Sequence, residues 1–195
     1  MAYTTPTTHV AGETLPAADY NVIVNDVIAI RAASVNVQQT VVTTAQAVTL
    51  TSANTYYEIP ALSVAITPTT NTSKVLITGT LFIASILNQG VAFGLFRDGS
   101  VVSAFQNTQA TPSARTIGQI AFQTGSSWYG DDAVVANLPF CFLDSPATTS
   151  AVTYKIYAKA TSTGQIQYLN RSRADSDTGG SIRGSSFMVC KEVAV

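Results

Sequence analysis

From residue 35 onward, apolar and polar positions follow the period of two expected of half-buried strands. Leu62-Ser63-Val64-Ala65-Ile66 alternates and stops at Thr67-Pro68. In the run 74–86, Val75, Ile77, Leu81 and Ile83 share one face, and Leu76, Thr78, Thr80 and Phe82 share the other. Both faces of that strand therefore read as covered. In the run 151–161, Tyr154, Ile156 and Ala158 face one way and Lys155, Tyr157 and Lys159 the other. Asp98-Gly99 separates the runs 91–97 and 100–105 and predicts a hairpin, because a type I′ turn needs positive φ at both central positions. Further strands are expected over 38–51, over Tyr56, Tyr57 and Ile59 up to Pro60, and over 115–123, 133–143, 165–170 and 185–193. The expected fold is all-β, a β-sandwich or jelly roll of about eight to ten antiparallel strands.

The first 34 residues have a different texture. Residues 1–13 are Thr-rich, with Pro6, Gly12 and the single histidine, His9, and read as an extended arm. A helix is expected to follow. Pro16 suits its first turn, and Asp19 and Arg31 suit the two ends of its dipole. Tyr20, Ile23, Val27 and Ile30 recur at 3-4-3 spacing, the a/d seam of a coiled coil, and β-branched residues at a and d favour three strands. Two heptads are too short to be stable alone in water, so the helix must pack on its copies, on another protein or on one end of its own sheet. The expected organisation is an attachment arm and helix over 1–34 and a sandwich over 35–195.

Charge narrows the function. Only 11% of the 195 residues are charged and the net charge is −1, against about 25% charged in an average domain. No basic excess exists to neutralise phosphates, so nucleic acid is not an expected partner. So few charges leave little to keep a monomer soluble, and imply surface buried between subunits. The uncharged stretch between Lys74 and Arg97 raises a membrane helix. Its apolar part, 75–87, is shorter than the ~20 residues a span requires, and Asn88-Gln89-Gly90 interrupts it; two buried strands fit better, and no membrane partner is expected. The N-terminus has neither the basic nor the apolar region of a signal peptide.

Candidate chemistry is sparse. There is no nucleophile elbow, phosphate-cradling loop or zinc-protease motif, so no enzymatic activity, cofactor or metal is expected. Asp131-Asp132 point apart on an extended chain and read as a solvated turn. Asp175–Gly180 resembles the opening of a calcium loop, but Ser186 stands where the bidentate Glu belongs; a solvated acidic loop is expected, with Arg171, Arg173 and Arg183 available for ion pairs or a subunit contact. Cys141 and Cys190 lie in apolar runs and read as two buried reduced thiols. Trp128 and Tyr129, among glycines and serines, form a candidate outer contact loop.

Three stretches resemble structural proteins of tailed bacteriophages. Residues 10–21 (VAGETLPAADYN) with Val24, Asn25, Asp26 and Val27 are similar to the AGxxLTAxxLN opening of phage fibre and head-surface proteins, from which Pro16, Ala17 and Tyr20 depart. Residues 66–68, 73–77 and 96–100, and then 142–146, 153–155 and 185–192, look like the β-rich head domains of the same class. The resemblance implies a virion surface protein, a homotrimer with an attachment arm and an outward-facing sandwich. Its partners would be the major capsid protein or another virion protein, for a decoration (cement or head-fibre) protein. For a short tail fibre the partner would be a host receptor. Replacing Ile23→Asp together with Val27→Asp is expected to weaken trimerisation, read as a drop in mass by light scattering; an unchanged mass would remove the helix from the assembly.

Overall fold

The computed structural model describes residues 21–22, 36–85, 90–105, 118–123, 135–177 and 181–194. Two antiparallel sheets pack face to face as a β-sandwich. Sheet A contains β1 (Val37–Val42), β2 (Gln46–Leu50), β4 (Lys74–Ser85), β8 (Ala136–Asp144), β10 (Gln165–Leu169) and β11 (Ser186–Val193). Sheet B contains β3 (Tyr56–Ile66), β5 (Gly90–Arg97), β6 (Ser100–Val101), β7 (Ile120–Gln123) and β9 (Val152–Ala160). A single 3-10 turn, Ser103–Phe105, follows β6 where a strand was expected.

Each sheet is organised by one central strand. β8 pairs with one edge of β4. The other edge is shared, with β11 alongside Lys74–Thr80 and β10 alongside Ile83–Ser85. In sheet B, β9 lies between β3 and β5. The alternation seen in the sequence sets the interior: Val75, Ile77, Leu81 and Ile83 from β4 and Tyr154, Ile156, Ala158 and Ala160 from β9 are all buried in one cluster. Burial of this apolar surface is the main stabilising term.

The hand-over between β11 and β10 would leave backbone groups of β4 without a ladder partner. Buried polar side chains fill the gap. The Phe82 amide donates to Ser186 Oγ (2.9 Å) and the Phe82 carbonyl accepts from the Asn170 amide (2.8 Å). Ser186 Oγ donates to Asn170 Oδ1 (2.8 Å), and Asn170 Nδ2 donates to the carbonyls of Val42 (2.6 Å) and Thr44 (3.1 Å). Asn170 and Ser186 are fully buried, and Asn170 has φ 61°, a conformation that Asn tolerates better than most residues. The same contacts divide the expected strand 38–51 into β1 and β2, which have different partners. With the two-residue β6, this brings the described strands to eleven, more than the eight to ten expected.

Two more expectations are corrected. Pro60 does not end its strand: β3 continues to Ile66, and residues 59–62 bulge opposite Ile156. A missing N–H is tolerated at such a bulge, where Ala61 has φ 65°. Cys141 is exposed and only Cys190 is buried. β4 separates their strands and Cys141 lies opposite outward-facing Thr78, whereas Cys190 lies opposite core residue Ile77. Two strand spacings amount to roughly 10 Å, beyond the ~7 Å reach of a disulfide.

A clamp joins the sheets where β8 ends. Asp144 Oδ2 accepts from Arg97 Nη1 of β5 (2.6 Å) and from the Tyr154 hydroxyl of β9 (2.7 Å). Burial first, and Asp144 second, raise the Tyr154 pKa well above its ordinary value, which keeps the phenol a donor. The uncharged stretch raised as a membrane helix is occupied by β4 and β5, in different sheets, and no helix among the described residues is long and apolar enough to cross a membrane.

Gly79 gives this packing a sensitive point. A Cβ there would meet the Phe140 ring at 2.5 Å and the backbone carbonyl of Phe187. Gly79→Ala is therefore expected to destabilise the sandwich by ~1–3 kcal/mol through overpacking, measured as a lower urea midpoint; an unchanged midpoint would refute the close approach.

Candidate functional site

The two outer faces of the sandwich differ in chemistry. On sheet A, β1, β11, β4 and β8 align in three outward rungs: Val41, Phe187, Thr80, Pro139; Gln39, Val189, Thr78, Cys141; and Val37, Lys191, Leu76, Leu143. Lys191 is the sole charge among them. Val41 is 56% exposed, Leu143 45% and Phe187 40%. The face therefore carries one charge, and its exposed apolar side chains are interspersed with Gln39, Thr78 and Thr80. β8 forms the sheet edge beside it, and among the described residues no strand pairs with its free side. Pro139 in that edge strand removes a backbone donor, which limits uncontrolled strand addition.

The outer face of sheet B carries aromatic and charged side chains. Phe96 is only 9% exposed although it points outward, because Tyr157 stacks on it (centroids 4.0 Å apart, 27° between planes) and Tyr56 meets it edge-on (5.0 Å, 74°). Gly94 makes room for Tyr56, since a Cβ there would lie 2.9 Å from the ring. Lys159 Nζ sits 4.5 Å above the Tyr56 centroid, a cation–π contact. Glu58 accepts from Lys155 Nζ (2.9 Å) and from the Tyr157 hydroxyl (3.4 Å). Beside this group a groove is lined by Ser63, Asp98, Gly99, Thr153, Lys155 and Tyr157. The expected Asp98-Gly99 hairpin forms its end wall, with φ 49° and 80°. It is tied to β9 because the Asp98 amide donates to the Thr153 carbonyl (2.9 Å) and the Thr153 amide donates to Asp98 Oδ1 (2.8 Å).

The site residues singled out from the sequence fall elsewhere. Tyr20, Ile23, Val27 and Ile30 lie outside the described residues, as do Trp128 and Tyr129 and the Asp131-Asp132 pair; of the expected helix only residues 21–22 are described, and they are helical. The expected boundary at 34/35 is also outside them. Of the calcium-like loop, Asp175 is described and spans two arginines: its carboxylate pairs with Arg171 Nη1 (3.4 Å) and with Arg183 Nη2. Arg171 also stacks over the Tyr168 ring at 4.6 Å. Among the described residues no cluster of three His, Cys, Asp or Glu side chains suits a metal. The sheet B groove escaped the sequence reading because its residues come from β3, β9 and the turn after β5. The alternation of Lys155, Tyr157 and Lys159 marked one strand of it and gave no sign of the neighbours.

No protein-family profile matches the sequence, and no curated protein matches it. Among solved structures, the chain is similar to a chain from the structure of infectious bursal disease virus, Gt strain, with 12% identity and a TM-score of 0.43. It is also similar to a chain from the Gx strain of that virus, with 11% identity and a TM-score of 0.41. Each alignment covers 83% of this chain, but only 38% and 37% of the viral chains. At such scores and identities neither match establishes a shared fold.

Where the chain enters β1, one carboxylate gathers three segments. Glu192 Oε1 accepts from the Thr69 amide (2.7 Å) and hydroxyl (2.6 Å), and Oε2 accepts from Asn36 Nδ2 (3.0 Å). Asn36 Nδ2 also donates to the Thr67 carbonyl (2.6 Å). Burial alone would raise the Glu192 pKa, but hydrogen bonds from Ser73, Thr69 and Asn36 outweigh it and hold the pKa at about 2, below the ordinary 4.5. A carboxyl group with a depressed folded-state pKa stabilises the fold fully above its unfolded value and loses that contribution as the pH falls through the folded value. The stability difference between the wild type and Glu192→Gln is therefore expected to be constant above pH 4.5 and to shrink as the pH falls towards 2. Urea unfolding across that range measures it, and a difference independent of pH would show that the ionised carboxylate is not what holds the three segments.

Proposed function

We propose that this chain is a structural protein of a tailed-bacteriophage virion. In this reading it is a non-enzymatic capsid decoration protein, of the cement or head-fibre kind, that attaches as a trimer to the major capsid protein shell and stabilises it. The observation that carries the reading is the outer face of sheet A. It presents Val41, Leu143 and Phe187 to solvent beside one charged residue, Lys191, and such a face gains stability when protein covers it. Two sequence features point the same way: the charge content of 11%, and the N-terminal resemblance to phage head-surface and fibre proteins. The arm over 1–34, with Tyr20, Ile23, Val27 and Ile30, is the proposed attachment and trimerisation element.

A second reading, a short tail-fibre protein that binds a host receptor, is favoured by the preorganised aromatic groove on sheet B. Gold-labelled antibody against the sandwich, applied to intact virions of the phage that carries the gene, separates the two. Label over the head is the expected outcome, and deletion of residues 1–33 should then abolish particle binding. Label confined to the tail would replace decoration with host attachment. Particles without label would overturn both.

A further inference from the structure

We propose that the groove on the outer face of sheet B binds saccharide. A pyranose ring is flat, with apolar C–H groups on its faces and hydroxyls around its rim. It needs an aromatic surface to stack on and fixed donors and acceptors beside that surface. The groove supplies both. The Tyr157 ring is held from below by Phe96 at 4.0 Å and at its hydroxyl by Glu58, so little side-chain freedom remains to be lost on binding. Along the groove, Asp98 uses Oδ1 for the Thr153 amide, which leaves Oδ2 for a ligand hydroxyl. Ser63 and Thr153 add hydroxyls that act as donor or acceptor. Lys155, oriented by Glu58, retains protons beyond the one it shares.

Other ligand classes fit less well. Glu58, Asp98, Lys155 and Lys159 balance in charge, so the face has no net attraction for phosphate or another anion. Both edges of β9 are already paired, with β3 and β5, so a peptide cannot be captured there by strand addition. An apolar ligand would have to strip water from the charged and hydroxyl groups of the lining without replacing their hydrogen bonds. A neutral, hydroxyl-rich ligand with one apolar face satisfies all of these conditions. The proposal does not rest on the decoration reading, which concerns the opposite face of the sandwich; it uses the same groove as the tail-fibre reading, and saccharide binding by the isolated protein is measured separately from where the antibody label falls on the particle.

The test uses the full chain. The probes are an immobilised array of bacterial surface polysaccharides, and free maltohexaose, chitohexaose and mannohexaose in saturation-transfer NMR. The expected result is binding of at least one saccharide, with contact to its ring protons. Tyr157→Ala should weaken it about tenfold, equivalent to ~1.4 kcal/mol. Since loss of Tyr157 exposes Phe96, a second variant guards against misfolding: Ser63→Trp fills the groove from outside the core and should abolish binding while the urea midpoint stays unchanged. Lys191→Ala, on the opposite face, should bind as the wild type does. No binding to any probe would overturn the proposal, as would binding that survives Ser63→Trp or that is lost equally with Lys191→Ala.

Discussion

The period-two alternation of β4 and β9 is the constraint on which the rest of the molecule depends. Each strand is paired along both edges, so a slip of one residue would turn every core side chain outward and every outward side chain in. With Val75, Ile77, Leu81 and Ile83 facing Tyr154, Ile156 and Ala158 in one buried cluster, the register of both sheets is determined. The same register decides what the outside displays. β4 presents Leu76, Thr78 and Thr80 on sheet A, and β9 presents Lys155, Tyr157 and Lys159 on sheet B.

Polar side chains then stabilise the places where two sheets cannot satisfy themselves. Asn170 and Ser186 take up the backbone of Phe82, where β4 changes partners. Asp144 joins β8 to β5 and β9 across the end of the sandwich. Glu192 gathers the start of β1 and the loop before β4. Buried polar groups such as Asn170, Ser186 and Asp144 cost free energy unless each is hydrogen-bonded, and each of them, like the part-exposed Glu192, makes two or more bonds. Asn170 and Glu192 link segments more than a hundred residues apart, as Asn170 does with Val42. The two faces left outside are unlike: sheet A mixes apolar side chains with a few uncharged polar ones and one charge, and sheet B is aromatic, charged and hydrogen-bonding.

Much of the fold was legible in the chain. The alternation over 62–66, 74–86 and 151–161 marked β3, β4 and β9 and sorted the side chains of β4 and β9 into their two faces, though both faces of β4 read as covered where Leu76, Thr78 and Thr80 are outward, and Asp98-Gly99 marked the hairpin. Pro60 misled because a missing N–H ends a regular ladder yet is tolerated in a bulge, and nothing local distinguishes the two. Cys141 misled because Phe140, Cys141, Phe142 and Leu143 form an unbroken apolar run. Such a run reads as buried on both faces, whereas β8 is an edge strand with one face to solvent. The sandwich groove was the least legible feature. Tyr56, Phe96 and Tyr157 are separated by forty or more residues in sequence, and their stacking depends on Gly94, which no local pattern connects to Tyr56.

Local sequence by itself determined the strand class, the two-faced alternation of the central strands and the low charge content, because these follow from side-chain chemistry and a backbone period of two. Tertiary structure alone decided which strands became neighbours, which strand became an edge and which aromatic side chains met. Those outcomes depend on long-range pairing: β4 must choose β8, β10 and β11 from distant parts of the chain, and β9 must bring β3 and β5 together before Tyr157 has a Phe96 to stack upon.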